Sequence, residues 1–90
     1  MKIEWSLEAV SDLDRIEGFL KERSPRGAER VWVRIHERVG LQADIPFAAP
    51  LYHEGPARML VVSGTPYIVF YVVDGDVLRV EQIIHGAQNR

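Results

Sequence analysis

The sequence predicts a two-layer α+β domain, ordered β-α-α-β-β-β, with a helical hairpin packed on one face of a curved antiparallel sheet. Two apolar stripes predict the hairpin: Ala9 to Leu20 and Ala28 to Gln42 each repeat at three- and four-residue spacing, with only a short Ser24-Pro25 break between them. The sheet is predicted by three runs of β-branched and aromatic residues after Arg58, the last two joined at Asp74-Gly75. A chain of 90 residues buries only about two-thirds of its unfolded surface, so residues 1–90 form one core and one domain.

The elements follow in order. Lys2 to Trp5 reads as a short strand, and Ser6 is placed to cap a helix. Ala9, Leu13, Ile16 and Leu20, flanked by Val10 and Phe19, form the stripe of that helix, while Asp12, Asp14, Glu17 and Lys21 fall away from it; it should run to about Glu22. Ser24 caps a second helix, with Pro25 at its first position, where the missing N–H costs nothing. Its stripe is Ala28, Val31, Trp32, Ile35, Val39 and Leu41 or Gln42, and Pro46 forbids its continuation. From Pro46 to Pro56 the prolines and Gly55 imply an irregular surface connection, although Phe47, Leu51 and Tyr52 are apolar for a loop. Strands are expected at Arg58 to Val62, Tyr67 to Val73 and Asp76 to Ile84. A type I′ turn at Asp74-Gly75 would set Val73 against Asp76, Tyr71 against Leu78 and Val69 against Val80, with Arg79 opposite Phe70. One sheet face then carries Tyr67, Val69, Tyr71, Leu78, Val80 and Ile84; the other carries Ile68, Phe70, Arg79, Glu81 and Ile83. Either face is apolar enough to receive the helices.

Composition narrows the function. The chain is 47% hydrophobic and 27% charged, the balance of a globular protein that folds unaided. With no cysteine there is no disulfide framework, thiolate metal site or thiol nucleophile, which suits a reducing cytosol. The start, Met1-Lys2-Ile3-Glu4-Trp5, lacks the apolar stretch of an export signal, and no later run nears the roughly 20 apolar residues of a membrane span. A net charge of −2 with interleaved signs argues against direct nucleic-acid binding, which draws its affinity from neutralised phosphates. His36, His53 and His85 lie far apart, Glu54 beside His53 is a lone pair, and no glycine-rich phosphate loop exists. Neither a metal nor a cofactor is expected.

Five sequence elements, in this order and spacing, give the chain a relative: Ser6-x-x-Ala9, Asp12-Leu13-x-x-Ile16, Ser24-Pro25-x-x-Ala28, Gly64-Thr65-Pro66-Tyr67 and His85-Gly86-Ala87-Gln88. Over nearly its whole length the chain resembles the ParE branch of the RelE/ParE toxin superfamily of bacterial type II toxin-antitoxin systems. That resemblance implies a cytosolic toxin that inhibits DNA gyrase by binding it. It also implies a ParD-like antitoxin, whose extended C-terminal segment wraps the toxin in a hetero-oligomer. Two departures stand out. Ala48-Ala49-Pro50-Leu51 replaces the family's common Gly-Arg pair, leaving Arg58 as the basic residue there, and Gln82 stands where arginine is frequent.

The sister RelE branch cuts mRNA on the ribosome, which needs a base, cations for the phosphate and an acid. Arg58, Arg79, His85, Tyr67 and Tyr71 are the candidates, with both tyrosines read more simply as packing residues. Asn89 and Arg90 supply neither the basic cluster nor the tyrosine that RelE-like enzymes carry at this end. The leading expectation is therefore a protein-binding toxin with no catalytic residues, ahead of a ribosome-dependent endoribonuclease or a degenerate toxin that binds antitoxin alone. Partner contacts are expected from Trp5, Leu51, Tyr52, Arg58, Arg79 and His85: aromatic residues suit interface hot spots, the loop residues have no evident core role, and the cations suit an acidic segment.

Overall fold

A computed structural model describes residues 1–88 and confirms the element order. Strand β1 (Lys2–Trp5) leads into helices α1 (Leu7–Lys21) and α2 (Pro25–Gln42), and strands β2 (Arg58–Val61), β3 (Tyr67–Asp74) and β4 (Val77–His85) follow, with a short 3-10 turn at Gly86–Gln88. Asn89 and Arg90 lie outside the described residues. Both serine caps form as expected: Ser6 Oγ accepts from the Ala9 amide at 3.0 Å, and Ser24 Oγ from the Gly27 amide at 3.0 Å.

The four strands form one sheet in the order β1-β4-β3-β2. β2, β3 and β4 are antiparallel; β1 is the exception, running parallel to β4 with Ile3 beside Leu78 and Trp5 beside Val80. The helical hairpin supplies the long crossover that a parallel neighbour requires. Its apolar stripe meets the face bearing Tyr67, Val69, Tyr71, Leu78 and Val80, all buried, with Ile35 and Val39 of α2 and Ala9 and Ile16 of α1 above them. Gln42, not Leu41, is the buried end of the α2 stripe, since Leu41 is 57% exposed.

The hairpin register differs from the expected one. The turn residues are Gly75 and Asp76, so Asp74 pairs with Val77, Val73 with Leu78 and Tyr71 with Val80. Only Gly75 has positive φ, 60°, which fits a type II′ turn with glycine first rather than type I′. Arg79 consequently lies opposite Val72, not Phe70. A second departure follows: the register shifts between Phe70 and Tyr71, leaving Glu81 as the extra residue of a β-bulge. The bulge turns Ile83 toward the helices, fully buried, and Ile84 away. Side-chain alternation alone had placed these two the other way round.

The start of α1 is docked on this bulge. Ser6 donates through its amide to the Val80 carbonyl at 2.9 Å and through its hydroxyl to the Glu81 carbonyl at 2.7 Å. Asp12, 7% exposed, accepts at 2.8 Å from the Ile83 amide and holds Arg15 at 3.1 Å through its other oxygen. Sequence spacing had left Asp12 on the solvent side of α1. Its side chain instead reaches the backbone of β4, where the bulge has left an amide without a ladder partner.

Burial holds the Tyr67 and Tyr71 hydroxyls protonated above the ordinary 10.0, desolvation being the main cause for each. The unfolded chain ionises near the ordinary value and the folded one later, so this stability is whole below about pH 10 and falls as pH rises further. We expect urea midpoints to drop on the alkaline side, with tyrosinate absorbance growing in step with unfolding. A midpoint that is flat through that range would contradict the burial.

Candidate functional site

The six residues expected to meet a partner do not form one site. Trp5, at the end of β1, is half-buried and stacks on His36 at 4.8 Å between ring centroids; His36 in turn stacks on Trp32 at 3.7 Å. Arg79 is on the opposite face of the sheet, between Glu4 at 3.6 Å and Asp74 at 3.4 Å. His85 ends β4, where its Nδ1 accepts from the Ala87 amide at 3.1 Å and its ring meets Tyr67 edge-on at 5.6 Å.

Leu51, Tyr52 and Arg58 do come together. Leu51 forms an isolated antiparallel bridge with Arg58, the Met59 amide donates to the Pro50 carbonyl at 2.9 Å and the Tyr52 amide to the Ala57 carbonyl at 2.8 Å. The connection read as irregular thus folds back along β2. Leu51 remains 54% exposed, while Tyr52 swings over the outer sheet face and covers Phe70 edge-on at 4.9 Å. That contact explains why Phe70, on the face away from the helices, is only 3% exposed. Arg58 points to the helix side, donates to the Phe47 and Ala49 carbonyls at 3.2 and 2.8 Å, and lies 5.1 Å from the Phe47 ring. Its guanidinium is the clamp of the 47–49 turn.

Removing that clamp with Arg58→Ala is expected to cost about 1–2 kcal/mol, because two carbonyls lose a charged donor. Most of the effect should be local: amide exchange at Tyr52 and Met59 should quicken several-fold, while the β3 and β4 amides stay protected. Uniform acceleration across the sheet would show that the turn is not a separate unit.

One cavity of about 250 Å³ gathers reactive side chains that spacing did not group: Arg15, Ile16 and Phe19 from α1 with Tyr67, Ile83 and His85 from the sheet. Phe19, 51% exposed, had been placed as a flank of the core stripe; it is instead part of this wall. The helix register gave Arg15 and Phe19 as i,i+4 neighbours, but the bulge that brings Ile83 to the same cavity left no mark in the sequence.

The molecule is a small α+β protein whose exposed apolar side chains and arginines lie on several faces. No cluster of His, Cys, Asp or Glu able to hold a metal, and no helix long and apolar enough to cross a membrane, occurs among the described residues. Residues 3–90 match the family described as ParE toxin of type II toxin-antitoxin system, parDE, and the chain belongs to that family. It is 31% identical over 87 residues to Y4kP of Sinorhizobium fredii, named as a toxin, covering 97% of this chain and 90% of that protein. It is 25% identical to Toxin RelE2 of Caulobacter vibrioides, covering 97% of each. A solved chain titled "Chromosomal ParDE TA system from P. aeruginosa" has the same fold, with a TM-score of 0.81 over 94% of this chain and 95% of that one at 22% identity.

Proposed function

We propose that this ParE-family toxin acts in the cytoplasm by binding a protein target, DNA gyrase, and is held silent by a ParD-like antitoxin in a toxin–antitoxin hetero-oligomer. The observation that carries the binding reading is the dispersal of the groups a nuclease would need. Arg58 pairs with Tyr71 and His85 with Tyr67 on opposite sides of β3, and those tyrosines are four residues apart, so the two sites are separated by at least about 13 Å along the sheet. Arg79 is on the other face and already ion-paired. Arg58 is spent on the 47–49 carbonyls. The Tyr71 hydroxyl donates to the Pro46 carbonyl at 2.6 Å and accepts from Gln42 at 2.9 Å. No single phosphate can be served by all of these.

A second reading, mRNA cleavage, is favoured by one observation. The 250 Å³ cavity places a phenol, an imidazole and a guanidinium, from Tyr67, His85 and Arg15, around one space. Induced expression with and without the antitoxin separates the two, with ribosome-bound transcripts mapped for cuts. Growth arrest relieved by antitoxin, with intact transcripts, supports the binding toxin. Cuts that vanish in Tyr67→Phe and His85→Ala support the nuclease, and absence of arrest by a folded chain supports a degenerate toxin.

A further inference from the structure

Helix α2 carries Arg26, Arg30, Arg34 and Arg38 at four-residue intervals. The ridge they form winds slowly around the helix and advances about 6 Å per step. Arg26, Arg30 and Arg34 line an open cleft of about 560 Å³ with Val33, Gly64 and Thr65, and Arg38 lines the adjoining one with Met59, Leu60 and Val61 of β2. Arg34 fixes the ridge to the end of β2, donating to the Ser63 carbonyl at 2.9 Å and its hydroxyl at 3.1 Å. Arg26 and Arg30 have no ion pair or hydrogen bond among the described residues, and the Arg38 Nε is buried without an acceptor. A desolvated guanidinium N–H with no partner is costly and marks a place for an incoming acceptor.

Beside the ridge is a free strand edge. β2 ends the sheet, and its outward amide at Met59 is taken by the returning loop. Val61, two residues on, presents its main chain the same way with no partner strand, and its side chain is 55% exposed. We propose that this groove, walled by the α2 arginines and floored by the β2 edge, binds an extended acidic segment of a partner protein. Alternate side chains of an extended strand repeat at about 6.6 Å, close to the step of the arginine ridge, so carboxylates at every second residue meet successive guanidinium groups. The intervening apolar residues would lie by Val61, and the main chain would extend the sheet at its open edge. A nucleic-acid backbone fits less well: Glu29 and Glu37 line the same cleft, Val33 is exposed in it, and a strand edge offers a phosphate nothing.

This deepens the toxin–antitoxin reading and rests on it only for the partner's identity. The test is fluorescence anisotropy with a short labelled peptide alternating glutamate and valine. Controls are the same residues in two blocks, a backbone N-methylated version and a single-stranded DNA oligonucleotide. The alternating peptide should bind, the block and N-methylated peptides should bind about ten-fold more weakly, and R26E/R30E should lose about ten-fold or more. Both substituted side chains are exposed and unpaired, so the variant's melting curve should match the parent's. No binding, equal binding of the block peptide, unchanged affinity in R26E/R30E or preference for the oligonucleotide would each overturn the groove. Cognate antitoxin is titrated in parallel. Unchanged antitoxin affinity in R26E/R30E overturns the groove while leaving the toxin–antitoxin reading intact; no antitoxin binding to the parent chain overturns that reading, whatever the peptides do.

Discussion

Tyr71→Ala is expected to cost about 3–5 kcal/mol, the usual range for deleting a fully buried aromatic ring. The ring has no exposed surface. Its hydroxyl joins the Pro46 carbonyl and Gln42, whose amide also donates to the Ile45 carbonyl at 3.2 Å. One side chain thus ties the centre of β3 to the end of α2 and to the loop that follows it. Small domains hold only about 5–15 kcal/mol in total, so this variant should be largely unfolded under mild denaturant. Tyr71→Phe separates the two contributions: it keeps the ring and should lose only about 1–2 kcal/mol with the hydroxyl. Urea titration of both variants checks the partition. Equal losses would mean the hydrogen bonds, not the ring, dominate; a near-native Tyr71→Ala would contradict the packing altogether.

The second large effect belongs to Asp12. Asp12→Ala leaves the buried Ile83 amide without its acceptor and frees Arg15, an expected loss of about 2–3 kcal/mol. For a domain of this size that lowers the melting temperature by on the order of 10 °C. Asp12→Asn retains an oxygen for the amide and should recover about half. The Ile83 amide reports the mechanism: its exchange should quicken sharply in Asp12→Ala and modestly in Asp12→Asn. If both variants melt together with the parent, the link between α1 and the bulge is not what holds Ile83 inward.

Much of this architecture was legible in the sequence because local signals agreed with one another. Ser6, Ser24 and Pro25 mark helix starts by their own chemistry, and the stripes through Ile16 and Ile35 declare the buried faces without reference to the rest of the chain. The β-rich run from Tyr67 to Asp74 likewise names its inner face. What stayed hidden was set by distant partners. The parallel pairing of β1 depends on where a crossover of two helices delivers β4. The bulge at Glu81 depends on Ser6 and Asp12, more than 65 residues away. An Asp-Gly pair is compatible with glycine at either central position of the turn, so its register was undetermined by two residues.

The site divided along the same line. Leu51, Tyr52 and Arg58 were recognisable as unusual for a loop, and they do lie together, but Arg58 acts first on its own chain through the 47–49 carbonyls. Trp5 and Arg79 were chosen by residue type, and each has a satisfied local partner, His36 for one and Glu4 with Asp74 for the other. The arginine ridge was present as a plain four-residue spacing. Its meaning comes from the β2 edge beside it, which only the folded chain supplies.

The most direct test of the central claim, that this toxin works by holding a protein, adds purified chain to a gyrase supercoiling reaction and, in parallel, to a coupled translation reaction. We predict inhibited supercoiling that antitoxin relieves, with translation untouched. Normal supercoiling together with arrested translation and cut mRNA would contradict the account and place the activity in the cavity of Arg15, Tyr67 and His85.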